Sequence, residues 1–199
     1  DSIARQTDAD FHVYIGDDAG APELSGLVEK HLANVPHTYH RFDSNLGRTD
    51  LVAHWARCLD LTRGEEWIWL FSDDDVMDPH CVEAFHQARQ NSTTDLYHFG
   101  LATIDESGQV QRTQSPDFPN IDDYVTRRMR DEIASSAVEW IFRRSALEEV
   151  GGFQRFDLAW GSDDATWIKL GARARPVLIE GPLVSWRLSS QSISPDQSR

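Results

Sequence analysis

The 199-residue chain is short of several things, and each shortage excludes a class of protein. Two cysteines, Cys58 and Cys81, give neither a disulfide framework nor a zinc-ligand spacing. Both fall within apolar helical patterns and read as inert core thiols. No apolar run approaches the roughly 20 residues needed to span a bilayer. Basic residues are scarce: 19 Lys and Arg stand against 33 Asp and Glu, a net charge of −14. That balance argues against nucleic acid as a partner, because phosphate binding needs clustered cations. The N-terminal Asp1-Ser2-Ile3-Ala4-Arg5 carries no basic-then-apolar leader and no initiator Met. Internal repeats and linkers are lacking too, so one domain over residues 1–199 is expected. What is present is core-forming material, 40% hydrophobic and 10% aromatic, which excludes wholesale disorder. These counts suit a soluble α/β domain from a reducing compartment.

Short apolar runs alternate with helical patterns. Phe11, Val13 and Ile15 alternate with polar positions and stop at Asp17-Asp18, a strand and its turn. Pro22 suits a first helical position, with Leu24, Leu27, Val28, His31 and Leu32 on one face. A second strand is expected over 38–42, and Asn45-Leu46-Gly47 turns into a helix striped by Leu51, Val52, Trp55 and Leu59. The continuous run Trp67 to Phe71 reads as a strand covered on both faces, which is the signature of a parallel sheet. Pro79 opens a helix to about Arg89, and Asp95 to Leu101 is a strand turning at 105–108 toward Val110; residues 115–120 form a loop. Residues 137–143 predict a strand, and Ser145 with Glu148 predicts a capping box for a short helix ended by Gly151-Gly152. A helix over 165–174 opens behind Asp163-Asp164, and Val177 to Ile179 is a last short strand before a polar tail.

Three acidic clusters stand at element ends: Asp17-Asp18, Asp73-Asp74-Asp75 and Asp163-Asp164. In an open parallel sheet, ligands bind beyond the C-terminal ends of the strands. Three consecutive carboxylates repel one another unless something positive joins them. A hard divalent cation that shares its shell with substrate phosphates is the natural partner. The plainer alternatives are a solvated acidic loop for the triple-Asp segment and helix capping for Asp163-Asp164. Core packing accounts for Trp67, Trp69 and Trp140, whereas Trp160 in its Gly-flanked loop could stack on a sugar ring. The histidines are scattered without metal spacing.

Four segments in order resemble family 2 glycosyltransferases of the GT-A fold. They are Phe11 to Asp18, Asn45-Leu46-Gly47, Trp69 to Pro79 with its Asp-rich strand end, and Gly151-Gly152-Phe153 followed by Trp160 to Trp167. The resemblance implies a Rossmann-like α/β domain: an open, mostly parallel twisted sheet with helices on both faces. It also implies a nucleotide-binding half over about 1–100 and an acceptor half over about 101–190. The activity implied is metal-dependent, inverting transfer from a nucleotide-sugar, UDP-linked, to the hydroxyl of a glycan or lipid-linked acceptor. Asp17, Asp18 and Asn45 would contact the nucleoside, with Asp73 near the ribose or metal. Asp74 and Asp75 would hold Mn²⁺ or Mg²⁺, Asp164 would be the general base with Asp163 beside it, and Trp160 and Gly161 would face the acceptor. Bacterial surface-glycan assembly in the cytoplasm, peripheral to the inner membrane face, is the implied setting.

The chain departs from the family pattern in places. The family's first strand has no counterpart before Asp1, Ser72 replaces the first Asp of the usual motif, and no late His is available as a metal ligand. The Ser72 replacement leaves open which two of the three carboxylates are ligands. Arg187 is then expected to meet the diphosphate by paired hydrogen bonds. Two other readings compete: a non-catalytic sugar-nucleotide or glycan binder, and a Mg²⁺ phosphohydrolase using Asp73 and Asp75. Met77 stands where the hydrolase motif wants Thr or Val.

Overall fold

The computed structural model describes residues 1–20 and 24–188. Pro22 and the tail from 189 to 199, both given roles above, lie outside the described residues. In chain order the elements are β1 (Val13–Asp17), α1 (Leu24–Leu32), β2 (His37–Arg41), α2 (Leu51–Leu59), β3 (Trp67–Trp69), β4 (Val76–Met77) and α3 (Cys81–Asn91). Then come β5 (Leu96–Ile104), β6 (Val110–Gln114), α4 (Ile121–Met129), β7 (Trp140–Arg143), α5 (Arg144–Glu149), α6 (Ser162–Gly171) and β8 (Val177–Arg187).

The fold class is the expected α/β one, but the strand directions are mixed rather than mostly parallel. β1 and β2 pair in parallel as a small sheet, and the larger sheet runs β3-β7-β5-β8-β4 with β6 on β5. Among the described strands of the larger sheet only β5 and β8 are parallel; β3–β7, β7–β5, β5–β6 and β4–β8 are antiparallel. The apolar run at 67–71 misleads about direction only: Ile68 packs against one core cluster and Trp67, Trp69 and Phe71 against the other, yet the strand's ladder partner runs antiparallel. Trp67 packs edge-on against Phe85 and Tyr97, and Trp69 stacks on Phe99, while β3 itself stays half-buried with β7 as its ladder partner.

β5 is the central strand, buried along all nine residues. Leu96 points into a cluster with Trp140, Phe142, Leu147, Trp167 and Leu170, covered by α4, α5 and α6. Tyr97, Phe99 and Leu101 join a second cluster with Cys81, Phe85 and Val184, covered by α3. Helices therefore cover both faces. β8 extends well beyond the three residues expected. Its pairing with β5 jumps from Phe99↔Ile179 to Gly100↔Leu183, so residues 180–182 form an irregularity that absorbs Pro182, which has no N–H for the ladder.

Two local readings change. The capping box lies at Ser136 and Glu139, where it opens a 3₁₀ turn (Ala137–Glu139) in the first half of the expected strand. α5 starts at Arg144 directly from β7, without a side-chain cap, so Ser145 is inside the helix; the Arg144 N–H donates to Glu66 O instead. α4 was not anticipated at all. Its signals are Asn120 accepting from the Asp123 N–H, acids in the first turn and Arg127-Arg128 in the last. Cys81 is a core thiol as expected, whereas Cys58 is half-buried and outside both core clusters; burial pushes Cys58 up to about 11 and Cys81 up to about 12. Among the described residues, no helix is long and apolar enough to cross a membrane.

Candidate functional site

β1 delivers Asp17 and Asp18, and the structure gives them different tasks. Asp17 is 2% exposed, and its carboxylate accepts from Tyr39 Oη, from Arg41 Nη1 at 2.7 Å and from the Gly20 N–H at 2.7 Å. Burial works to raise this carboxyl, and those hydrogen bonds outweigh it, holding the group below the usual carboxylate range. Asp18 accepts from the Leu46 and Gly47 N–H groups at 2.9 and 2.8 Å, and from Arg57, with His54 Nδ1 at 3.3 Å. Here too burial is outweighed, chiefly by the two backbone donors. Asn45 closes the same junction by donating to Asp18 O at 2.8 Å. A Cβ on Gly47 would lie 2.9 Å from Asp18 Oδ2, so this position needs glycine for close approach. Tyr39, Arg41, His54 and Arg57 were not singled out from the sequence. Arg57 and His54 lie one helical turn apart on α2, and only the fold brings them to Asp18.

The triple-Asp segment turns between β3 and β4. Asp73 and Asp74 are exposed, whereas Asp75 is 7% exposed and accepts from the Arg187 N–H at 2.8 Å. Burial pushes Asp75 up to about 7, and the neighbouring carboxylates push the same way. Arg187, expected on a diphosphate, binds backbone instead: Nε donates to Asp74 O at 2.9 Å, and Nη1 donates to Asp105 O and Glu106 O at 2.9 and 3.2 Å. It ties the acidic turn to the β5–β6 hairpin.

Asp163 and Asp164 open α6 behind Gly161, whose φ of 68° is left-handed and easiest for glycine. Asp164 Oδ1 accepts from Tyr124 Oη and from Arg128 Nε at 3.2 Å, and Oδ2 accepts from Arg128 Nη2 at 3.0 Å. Asp163 is raised to about 6, first by desolvation and then by the charge of Asp164. Arg128 and Tyr124 belong to α4, which is why both were missed. Trp160 and Phe156 stand beside this pair, 54% and 56% exposed, and flank the 3₁₀ turn Asp157–Ala159.

Strand directions place the last two clusters on one edge. β3 and β5 each run antiparallel to β7, and β8 runs parallel to β5. The triple-Asp turn therefore lies where β3, β5 and β8 end and β7 begins. Trp69 Nε1 donates to Val138 O at 2.7 Å, next to Glu139, and Glu139 connects through Ser135 and Tyr124 to Asp164. The β1 side reaches the same region through α2, whose N-cap Asp50 pairs with Arg155. The three clusters do not merge into one cage. Among the described residues, no group of three or more His, Cys, Asp or Glu could hold a metal ion.

With that geometry in place, comparison with known proteins is decisive for family. The sequence profile described as "Glycosyl transferase family 2" matches residues 1–151. The chain belongs to glycosyl transferase family 2. No curated protein matches it in sequence. Among solved structures it is similar to Staphylococcus aureus TarS 1–349 in complex with UDP-GlcNAc, with a TM-score of 0.73 and 15% identity over 96% of this chain and 54% of that one. TarS 1–349 in complex with UDP gives a TM-score of 0.70 at 15% identity over 94% of this chain and 55% of that one. A longer TarS structure gives a TM-score of 0.73 at 15% identity, covering 94% of this chain and 33% of that one. These likenesses establish the GT-A fold, and the chain spans about half the length of the TarS 1–349 structures.

Proposed function

We propose that this family 2 chain transfers a glycosyl group from a UDP-sugar to an acceptor hydroxyl, with inversion and with Mn²⁺ or Mg²⁺. The observation that carries the reading is the shared sheet edge: an acidic turn containing the buried Asp75 lies on the same rim as a carboxylate pair anchored by Arg128. UDP and UDP-GlcNAc in the TarS structures support a uridine nucleotide as the donor half.

The donor set at 73–75 suits a hard cation: all ligands are oxygen, two carboxylates are open to solvent, and the third resists ionisation. A cation held by Asp74 and Asp75, with Asp73 beside it, would offset that repulsion and supply Lewis-acid stabilisation of the leaving diphosphate. A Mg²⁺-type site uses one or two carboxylates plus phosphates, so a complete protein cage is not required. Arg187 keeps Asp75 in place through its backbone N–H. Asp17 acts on the nucleoside indirectly, by fixing the turn through Gly20 and the side chains of Tyr39 and Arg41. Asp18 and Asn45 shape the neighbouring wall.

On the acceptor side, Asp164 accepts the proton of the attacking hydroxyl while Arg128 and Tyr124 fix its orientation, as general-base geometry requires. Trp160 and Gly161 border the space where the acceptor sits, the indole offering an exposed face to a sugar ring. The acceptor is a glycan or lipid-linked hydroxyl.

The test is UDP release from a panel of UDP-sugars with Mn²⁺. Release that disappears in Asp74→Ala and in Asp164→Asn supports the proposal. Binding without turnover, unchanged in Asp164→Asn, would show a sugar-nucleotide binder. Phosphate release from a phosphomonoester would show a hydrolase.

A further inference from the structure

Behind Asp164, a file of oxygen atoms runs into the core. Tyr124 Oη is hydrogen-bonded to Asp164 Oδ1 and lies 3.0 Å from Ser135 Oγ, which lies 2.7 Å from Glu139 Oε1. Each of the three contacts needs a hydrogen between its oxygens, and a hydroxyl brings only one. Tyr124 and Ser135 together bring two. Trp140 Nε1 donates to Ser135 Oγ and Glu139 Oε1, and the Ser136 N–H donates to the Glu139 carboxyl. Those donors approach from outside the file and put no hydrogen on any of the three contacts. The third hydrogen must therefore belong to one of the carboxyl groups at the two ends.

The two ends differ. Asp164 meets the Arg128 guanidinium with both oxygens. Glu139 is 4% exposed and forms no ion pair among the described residues. Burying a carboxylate with no cation beside it costs far more than burying the neutral acid. We propose that Glu139 is protonated in the resting protein at neutral pH and donates through Ser135 and Tyr124, leaving Asp164 as the proton-accepting end.

Every donor in the file then points outward: Glu139 to Ser135, Ser135 to Tyr124, Tyr124 to Asp164. Other groups around the file agree with this direction. Burial pushes Glu139 up to about 8, and nearby Asp163 adds to that. The Tyr124 phenol is raised well above its ordinary value and stays a donor. His98, which lines a water-sized cavity with Glu139 and Tyr124, is pushed down to about 4 by burial and brings no positive charge. Arg128 on α4 is the cation of the group, and it sits at the Asp164 end. Glu139 is thus a positioning residue for the base, a role that rests on reading Asp164 as that base. A proton taken from the acceptor stays on Asp164 until solvent removes it, because the inner carboxyl is already filled.

Infrared difference spectroscopy on the full chain at neutral pH tests this without turnover, so an inactive protein would not obscure the result. A protonated-carboxyl carbonyl band should be present in the wild type, absent in Glu139→Gln and retained in Asp164→Asn. A band that survives Glu139→Gln and vanishes in Asp164→Asn would put the hydrogen on Asp164 and overturn the assignment, as would identical wild-type and Glu139→Gln spectra. Glutamine with its amide nitrogen at the Oε1 position keeps an N–H donor for Ser135 and an oxygen for the Ser136 N–H, and gives up the Trp140 Nε1 contact to Oε1. Should it fail to fold, titration of Asp75→Asn, which removes the other raised carboxyl nearest that range, decides. A band bleaching around pH 8 supports the assignment, and complete loss of carboxyl bands before neutrality overturns it.

Discussion

Arg128→Met is the sharpest perturbation of the acceptor side, because it keeps the stem of the side chain and deletes the charge and both donors. Arg128 and Asp164 are 19% and 23% exposed at the side chain, so water replaces the lost contact only in part. A hydrogen bond to a charged group contributes about 1.5–3 kcal/mol net, and the Nη2–Oδ2 bond at 3.0 Å counts in full. The Nε–Oδ1 bond at 3.2 Å shares its acceptor with Tyr124 and counts for less. The expected loss is about 2–3 kcal/mol, below the roughly 3–5 kcal/mol of a fully buried broken pair. For a chain of this length that corresponds to a fall of roughly 5–10 °C in Tm. The assay is a double-mutant cycle by thermal and urea unfolding, with Asp164→Asn as the second arm. Groups in direct contact are non-additive, so a coupling of at least about 1 kcal/mol is expected. Additive effects would show that the pair does not form in solution and would remove the reason for giving α4 a part in the site.

Other outcomes are equally concrete. Gly47→Ala should weaken UDP binding measured by calorimetry about tenfold or more with only a small change in Tm, since the new Cβ would press on the Asp18 carboxylate at 2.9 Å; unchanged affinity would detach that junction from the nucleotide. Trp160→Ala should leave Tm within a degree or two, because the indole is 54% exposed, while raising the acceptor KM; a large stability loss would make it a packing residue. Glu139 should also be visible in the pH dependence of stability. Its folded pKa is raised, from an ordinary 4.5 to about 8, so its contribution is fully present below about pH 4.5 and is lost as pH rises through about 8. Wild type should therefore lose stability relative to Glu139→Gln across that window, by up to about 1.4 kcal/mol per pH unit; parallel curves would contradict a raised pKa.

How much of this was legible in the sequence depends on the distance over which each feature is determined. The end of β1, the Asn45-Leu46-Gly47 turn, the Gly151-Gly152 stop and the acidic opening of α6 are local patterns, and they appear where the residues put them, whereas β3 stops at Trp69, before the apolar run does. Strand direction is not local. Nothing in Trp67-Ile68-Trp69 states that its ladder partner is Arg143 to Ile141 running the other way. The same limit hid the chemistry around Asp164. Spacing nominates the carboxylate, but its partners Tyr124 and Arg128 lie about 40 residues upstream, on a helix whose capping and charge signals stand directly beside the proline-rich loop. Glu139 was hidden more deeply, since a Ser-x-x-Glu box normally marks an exposed helix start and here sits at 4% exposure. A motif that names a residue type at the surface says nothing about the second layer that sets its protonation. In this chain that layer is assembled by α4 and the 3₁₀ turn before β7, two of the places where local reading and structure part.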